Sequence, residues 1–229
     1  MKKSLIILFL SSILTISNAS AQYWPGDNWY NNPLGFEPLK LHTSMSFLVP
    51  AAIVGGVLLL TKNDTALQQR LSVHNESSFL WGYKYPNTFM AQNSTGVNYM
   101  LRKWMSAGVE VSFCIPADAY NNTVGVGVRP FARFYPVSNK NLKLYFEAGG
   151  GLVYFFDQFP RPTVQDNRLG THLNGLTEYG VGADVALTPV LSLAVAAKHL
   201  HVSNGNTSGA ERNPSHDSNG LSIGFSLKL

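Results

Sequence analysis

The sequence predicts an all-β chain: an eight-stranded antiparallel transmembrane β-barrel with an N-terminal, partly helical extension. Three observations predict it. Apolar and polar residues alternate with period two through most of the chain after residue 77, the pattern of strands with one apolar face. The polar face carries glycine, small residues and opposite charges, which suits a narrow lumen better than a solvated sheet surface. The connections between strands alternate between short and long, like the turns and loops at the two ends of an outer-membrane barrel.

Composition narrows the alternatives. Only 13% of the 229 residues are charged, about half the usual share of roughly 25% in a soluble domain. Mean hydropathy is near zero, which excludes a bundle of transmembrane helices. The net charge of +4 is small and scattered, so no nucleic-acid partner is expected. A single cysteine, Cys114, excludes an internal disulfide framework and zinc-ligand spacing. No metal and no cofactor is expected.

The elements follow in chain order. Residues 1–21 read as a signal peptide: two lysines, an apolar run, then the small-x-small site Ala19-Ser20-Ala21. Residues 22–76 form the N-terminal extension, within which 46–60, SFLVPAAIVGGVLLL, is an apolar run of 15. That is short of the roughly 20 residues of a spanning helix. It predicts a buried or interfacial helix, continuing through NDTALQQRL. The barrel is expected over 77–229, with strands near 77–87, 93–102, 106–115, 122–135, 141–155, 170–187, 190–203 and 219–229.

Strand three shows the alternation well. Val109, Val111, Phe113 and Ile115 share one face, and Gly108, Glu110, Ser112 and Cys114 the other. The same parity collects Glu110, Arg129, Arg133, Lys143, Glu147, Glu178 and Asp184 on the polar side, where they read as a structural charge network inside the barrel. RKWMS, PVSNK and TPV are the short turns, placed in the periplasm; PADAYNN, FDQFPRPTVQDNR and the stretch after strand seven are the long loops.

That last stretch, HVSNGNTSGAERNPSHDSNG from His201 to Gly220, carries the candidate chemistry. Strand seven climbs about 30 Å from its turn, which puts His201 and Ser203 near the far rim. Leu191, Leu193, Val195, Ala197, His199, His201 and Ser203 share one face, and its lower members are apolar. A histidine and a serine therefore point outward at the lipid boundary, an expensive position for polar groups that do nothing there. Serine is a weak nucleophile until a base takes its proton, and histidine titrates where that role requires. An acid must orient the imidazole, and both Asp217 and Glu211 lie in the loop that follows. His199 is expected at the interface and His216 in a solvated loop.

His201-Val202-Ser203-Asn204-Gly205 followed by Asn213-Pro214-Ser215-His216-Asp217 resembles the motif of the lipid A 3-O-deacylase (acyloxyacyl hydrolase) family of eight-stranded outer-membrane barrels, roughly His-x-Ser-Asn and then Asn-Pro-Gly-x-Glu. Two positions depart from it: Ser215 stands for glycine and Asp217 for glutamate. The resemblance implies Ser203 as nucleophile, His201 as its base and Asp217 as the orienting acid, with Glu211 as the rival. Asn204 and the Gly205 amide are expected to support the oxyanion, and Asn213 to hold the loop. It implies an outer-membrane esterase acting on lipid A of lipopolysaccharide in the outer leaflet. The competing readings are a non-catalytic structural or adhesion barrel and a hydrolase of another acyl lipid such as a phospholipid.

Overall fold

A computed structural model describes residues 43–229 except 68 and 86. The expected signal peptide and the start of the extension lie outside the described residues. Helix α1 spans Thr43–Leu60, and eight strands follow: β1 Leu71–Gly82, β2 Phe89–Arg102, β3 Met105–Pro116, β4 Gly125–Ser138, β5 Leu142–Phe159, β6 Thr171–Ala186, β7 Leu191–Ser203 and β8 His216–Lys228. Each strand pairs antiparallel with the next, and β1 pairs with β8, so the sheet closes as a barrel. Closure leaves no free strand edge, the condition for a sheet to exist in lipid.

Parity sorts the side chains. Outward rows are apolar and exposed, as with Val111, Phe113, Leu152, Leu221, Ile223 and Phe225. Inward rows bury the charges. Arg129 contacts Glu110 at 2.9 Å and Glu147 at 2.6 Å, Arg133 contacts Glu76 at 2.8 Å and Glu147 at 2.6 Å, and Lys198 contacts Glu76 at 2.7 Å and Glu178 at 3.0 Å. Glycine makes room for this plug: a Cβ on Gly149 would lie 2.7 Å from an Arg129 guanidinium nitrogen. Removing one member strands its partners in low dielectric, at a cost of about 3–5 kcal/mol. Lys198→Met is therefore expected to lower the temperature at which the folded band converts to the unfolded one on gels. An unchanged conversion temperature would show that the network does not hold the barrel.

The first strands begin earlier than the alternation indicates. β1 starts at Leu71, not 77, and β2 at Phe89, not 93, so the barrel begins inside the segment assigned to the extension. The reason lies on the outer wall. Asn75, Ser77, Asn93 and Thr95 occupy outward positions there, so both faces of the strands read as polar. These groups satisfy one another: the Asn75 amide donates to Asn93 Oδ1 at 3.0 Å and Thr95 Oγ1 at 2.7 Å, and that of Asn93 to Ser77 Oγ at 3.0 Å.

Helix α1 does not continue through NDTALQQRL; no helix is present among the described residues of 61–70. Arg102 marks its end, donating to Val57 O at 3.3 Å, Thr61 O at 2.8 Å and Thr61 Oγ1 at 2.7 Å. It thereby adds donors to the carbonyls around the helix end, where Val57 O also accepts from the Thr61 N–H at 3.2 Å. The helix packs mainly on β5, burying Val57 and leaving Leu58, Leu59 and Leu60 exposed. Among the described residues no helix is long and apolar enough to cross a membrane.

The connections sort by length. Residues 103–104, 139–141 and 187–190 are the short turns at one end. Loops L1 (83–88), L2 (117–124), L3 (160–170) and L4 (204–215) project from the other.

Candidate active site

The site grows out of the β6–β7–β8 register. Lys198 of β7 enters the lumen network, so odd-numbered neighbours on that strand point outward. Thr177, His201 and Asp217 form one cross-strand row, and Gly175 and Ser203 pair in the row nearer the loops. Gly175, with no side chain, leaves space beside Ser203. Within β7, His201 and Ser203 sit two residues apart on the same face. His201 Nε2 lies 2.9 Å from Ser203 Oγ, and His201 Nδ1 lies 2.6 Å from Asp217 Oδ1. A carboxylate only accepts, so Nδ1 carries the proton; Nε2 is left bare, facing the serine hydroxyl. Ser203 and Asp217 are buried and His201 is about a quarter exposed. This arrangement can deprotonate an attacking hydroxyl and stabilise the imidazolium that results.

Glu211 is not part of it. It sits exposed in a 3-10 turn, Ala210–Arg212, with its carboxylate curled back toward Gly209. Asn204 and Asn213 are close to the serine, but their polar atoms are used within L4. The Asn204 amide N–H donates to Asn213 Oδ1 at 3.1 Å, its side chain donates to Arg212 O at 2.7 Å, and Asn213 Nδ2 donates to Asn206 Oδ1 at 2.9 Å. Both lock the loop that leaves Ser203. Gly205 follows at φ 61 and is exposed. Its amide has no acceptor among the described residues.

Two histidines differ from expectation. His199 is not at a lipid interface but buried, its ring 4.7 Å from that of Tyr179 and 5.9 Å from that of Tyr83. Its Nδ1 lies 2.8 Å from Asn219 Oδ1, and its Nε2 lies 3.9 Å from Asp217 Oδ1. His216 is not in a solvated loop. β8 begins at that residue, three positions before the alternation becomes visible, and parity turns the ring inward, where it is buried near Phe159.

The sequence reading also missed L1, whose residues it assigned to a strand. Lys84 donates to Pro214 O and to Ser215 Oγ, each at 2.6 Å, and the Tyr85 hydroxyl donates to Asp166 and lies 3.0 Å from Pro214 O. Asp166 binds Arg168, which donates to Ala210 O at 3.1 Å. L1, L3 and L4 are thus tied together over the site. Burial, with Arg168 nearby, holds the Lys84 ammonium below the ordinary lysine range against the opposing pull of Asp217 and Asp166. Hydrogen bonding from Arg168 holds the Asp166 carboxyl well below the usual range. No local signal marks the contacts between these loops, because each joins segments far apart in the chain.

Fold and site together define a class: a transmembrane barrel of the outer-membrane kind with a serine–histidine–carboxylate constellation on its outer wall. The sequence profile of the lipid A 3-O-deacylase (PagL) family matches residues 12–226, and the chain belongs to that family. No curated protein matches it. Among solved structures, the chain is similar to the outer membrane enzyme PagL, with 13% identity and a TM-score of 0.49 over 69% of this chain and 99% of that one. Neisserial surface protein A gives 14% identity and a TM-score of 0.49, over 69% and 96%. The N-terminal β-barrel domain of Pseudomonas aeruginosa OprF gives 14% and 0.43, over 68% and 97%.

Proposed function

We propose that this protein is a serine esterase that removes an ester-linked acyl chain from lipid A, the 3-O ester named in the description of its family. The barrel resides in the outer membrane with L1–L4 outward. The observation that carries the reading is the His201 ring bridging Ser203 and Asp217 on the lipid-facing wall, in the rows nearest the loops. An ester of an outer-leaflet lipid reaches that position without leaving the membrane.

The steps follow from the geometry. Ser203 Oγ attacks the ester carbonyl as its proton passes to His201 Nε2. Asp217 stabilises the imidazolium through Nδ1. The oxyanion of the tetrahedral intermediate is taken up by the free amide of Gly205, the kind of preorganised donor such sites require. His201 returns the proton to the departing sugar hydroxyl, leaving the acyl chain on Ser203. Water activated by His201 then releases the fatty acid. Asn204 and Asn213 hold the loop that presents the amide.

The test is the mass spectrum of lipid A from cells with and without the protein. The expected result is a species lighter by one hydroxyacyl chain when the protein is present. Unchanged lipid A together with loss of acyl chains from phospholipids would move the substrate to that class, and no change in any lipid would favour a non-catalytic barrel.

A further inference from the structure

We propose that Ser215 and Lys84 are positioning residues for the acid: the Ser215 hydroxyl, gripped by Lys84, fixes the second oxygen of Asp217 so that the first meets His201. The inference rests on the serine-esterase reading above. Asp217 is short, and its Cβ is set by the register of β8 opposite His201. What remains free is rotation of the carboxylate about its own axis, a soft torsion. The bond from His201 Nδ1 holds one oxygen, and a single bond does not define the carboxylate plane. Ser215 Oγ lies 3.4 Å from the other oxygen, Oδ2.

The direction of each hydrogen bond is forced. An ammonium only donates, so Lys84 Nζ gives a proton to Ser215 Oγ at 2.6 Å. The hydroxyl's own proton is left to point at Asp217. Lys84 is itself anchored by Pro214 O at 2.6 Å. The backbone beside this contact is held as well, with the Tyr83 N–H donating to Asp217 O at 3.1 Å.

Ser215 adopts φ 54, in the left-handed region. A side chain there is strained in a way that glycine would avoid. If serine served only to make the turn, glycine would serve better. The hydroxyl is what the strained position retains. Ser215 Oγ is in contact with Asp217 Oδ2, so a carboxylate one methylene longer at 217 would press on that hydroxyl.

The experiment compares purified, folded wild type, Ser215→Gly, Asp217→Glu, the double variant carrying both, Lys84→Met and Lys84→Arg. Two rates are measured: labelling of Ser203 by a fluorophosphonate, with Ser203→Ala as the unlabelled control, and cleavage of lipid A in detergent micelles. The unfolding temperature is measured alongside. Ser215→Gly is expected to slow both rates about tenfold, the effect of losing one hydrogen bond to a charged group, while its unfolding temperature stays level or rises. Asp217→Glu alone is slow, and the double variant recovers to within about threefold of wild type, since the two sites are directly coupled. Lys84→Met slows both rates, and Lys84→Arg retains them. Wild-type rates in Ser215→Gly, or a double variant no faster than the slower single one, overturn the proposal. If wild type is labelled but leaves lipid A intact, the substrate reading fails and the labelling rates alone decide the role of Ser215. If wild type is neither labelled nor active, both fail.

Discussion

Ser203→Ala is expected to abolish the proposed lipid A deacylation while leaving the barrel folded. The substitution deletes one oxygen from a strand whose ladder bonds use only backbone groups, so heat-modifiable gel mobility and membrane location are unchanged. Loss of the nucleophile from a serine–histidine–acid unit costs on the order of 10⁶ in turnover, and Ser203 Oγ is the hydroxyl that His201 Nε2 meets, at 2.9 Å. The measurement is the lipid A mass spectrum from cells holding equal amounts of folded wild type and variant. Equal loss of acyl mass in both would remove Ser203 from the mechanism.

Asp217→Ala is expected to lower turnover by about 10⁴, the scale on which an orienting acid acts, whereas Glu211→Ala leaves it within about threefold, as for a surface residue. The reasoning is geometric. Asp217 Oδ1 lies 2.6 Å from His201 Nδ1, so its removal releases the imidazole to turn and to take the wrong tautomer. Glu211 is exposed and faces its own loop. Kinetics on the two variants, with folding checked on the same gels, decide between them. A large loss in Glu211→Ala with near-normal Asp217→Ala would reassign the acid.

Much of the barrel was legible because strand periodicity is local. Where the outer face is uniformly apolar, as in Val109–Ile115 or Leu221–Leu227, alternation alone identifies the strand and its sidedness. Where it is not, the signal fails: Asn75 and Ser77 look out toward the membrane beside inward His74 and Glu76, and six residues of β1 were assigned to the extension. Glu76, a partner of both Arg133 and Lys198, went missing from the charge network with them. The proximity of His201 to Ser203 was legible for the same local reason, two residues on one strand face. Asp217 was accessible because a single loop separates it from β7. Lys84 was not, since its contacts to L4 span 130 residues and depend on the first and last strands meeting. The engagement of Asn204 and Asn213 within L4 was also hidden, because side-chain amide partners in a loop follow its path, which no periodicity describes.

The seam where the chain's first strand meets its last carries a consequence for timing. On the proposed reading the acid stands on β8 and the residues that steady it, Tyr83 and Lys84, stand just past β1, so their contacts cross the join between the chain's first and last strands. A chain whose first and last strands have not met has Ser203 and His201 on β7 but an Asp217 held from one side only. If Asp217 serves His201 as proposed, the acid is held from both sides only once the ring has closed.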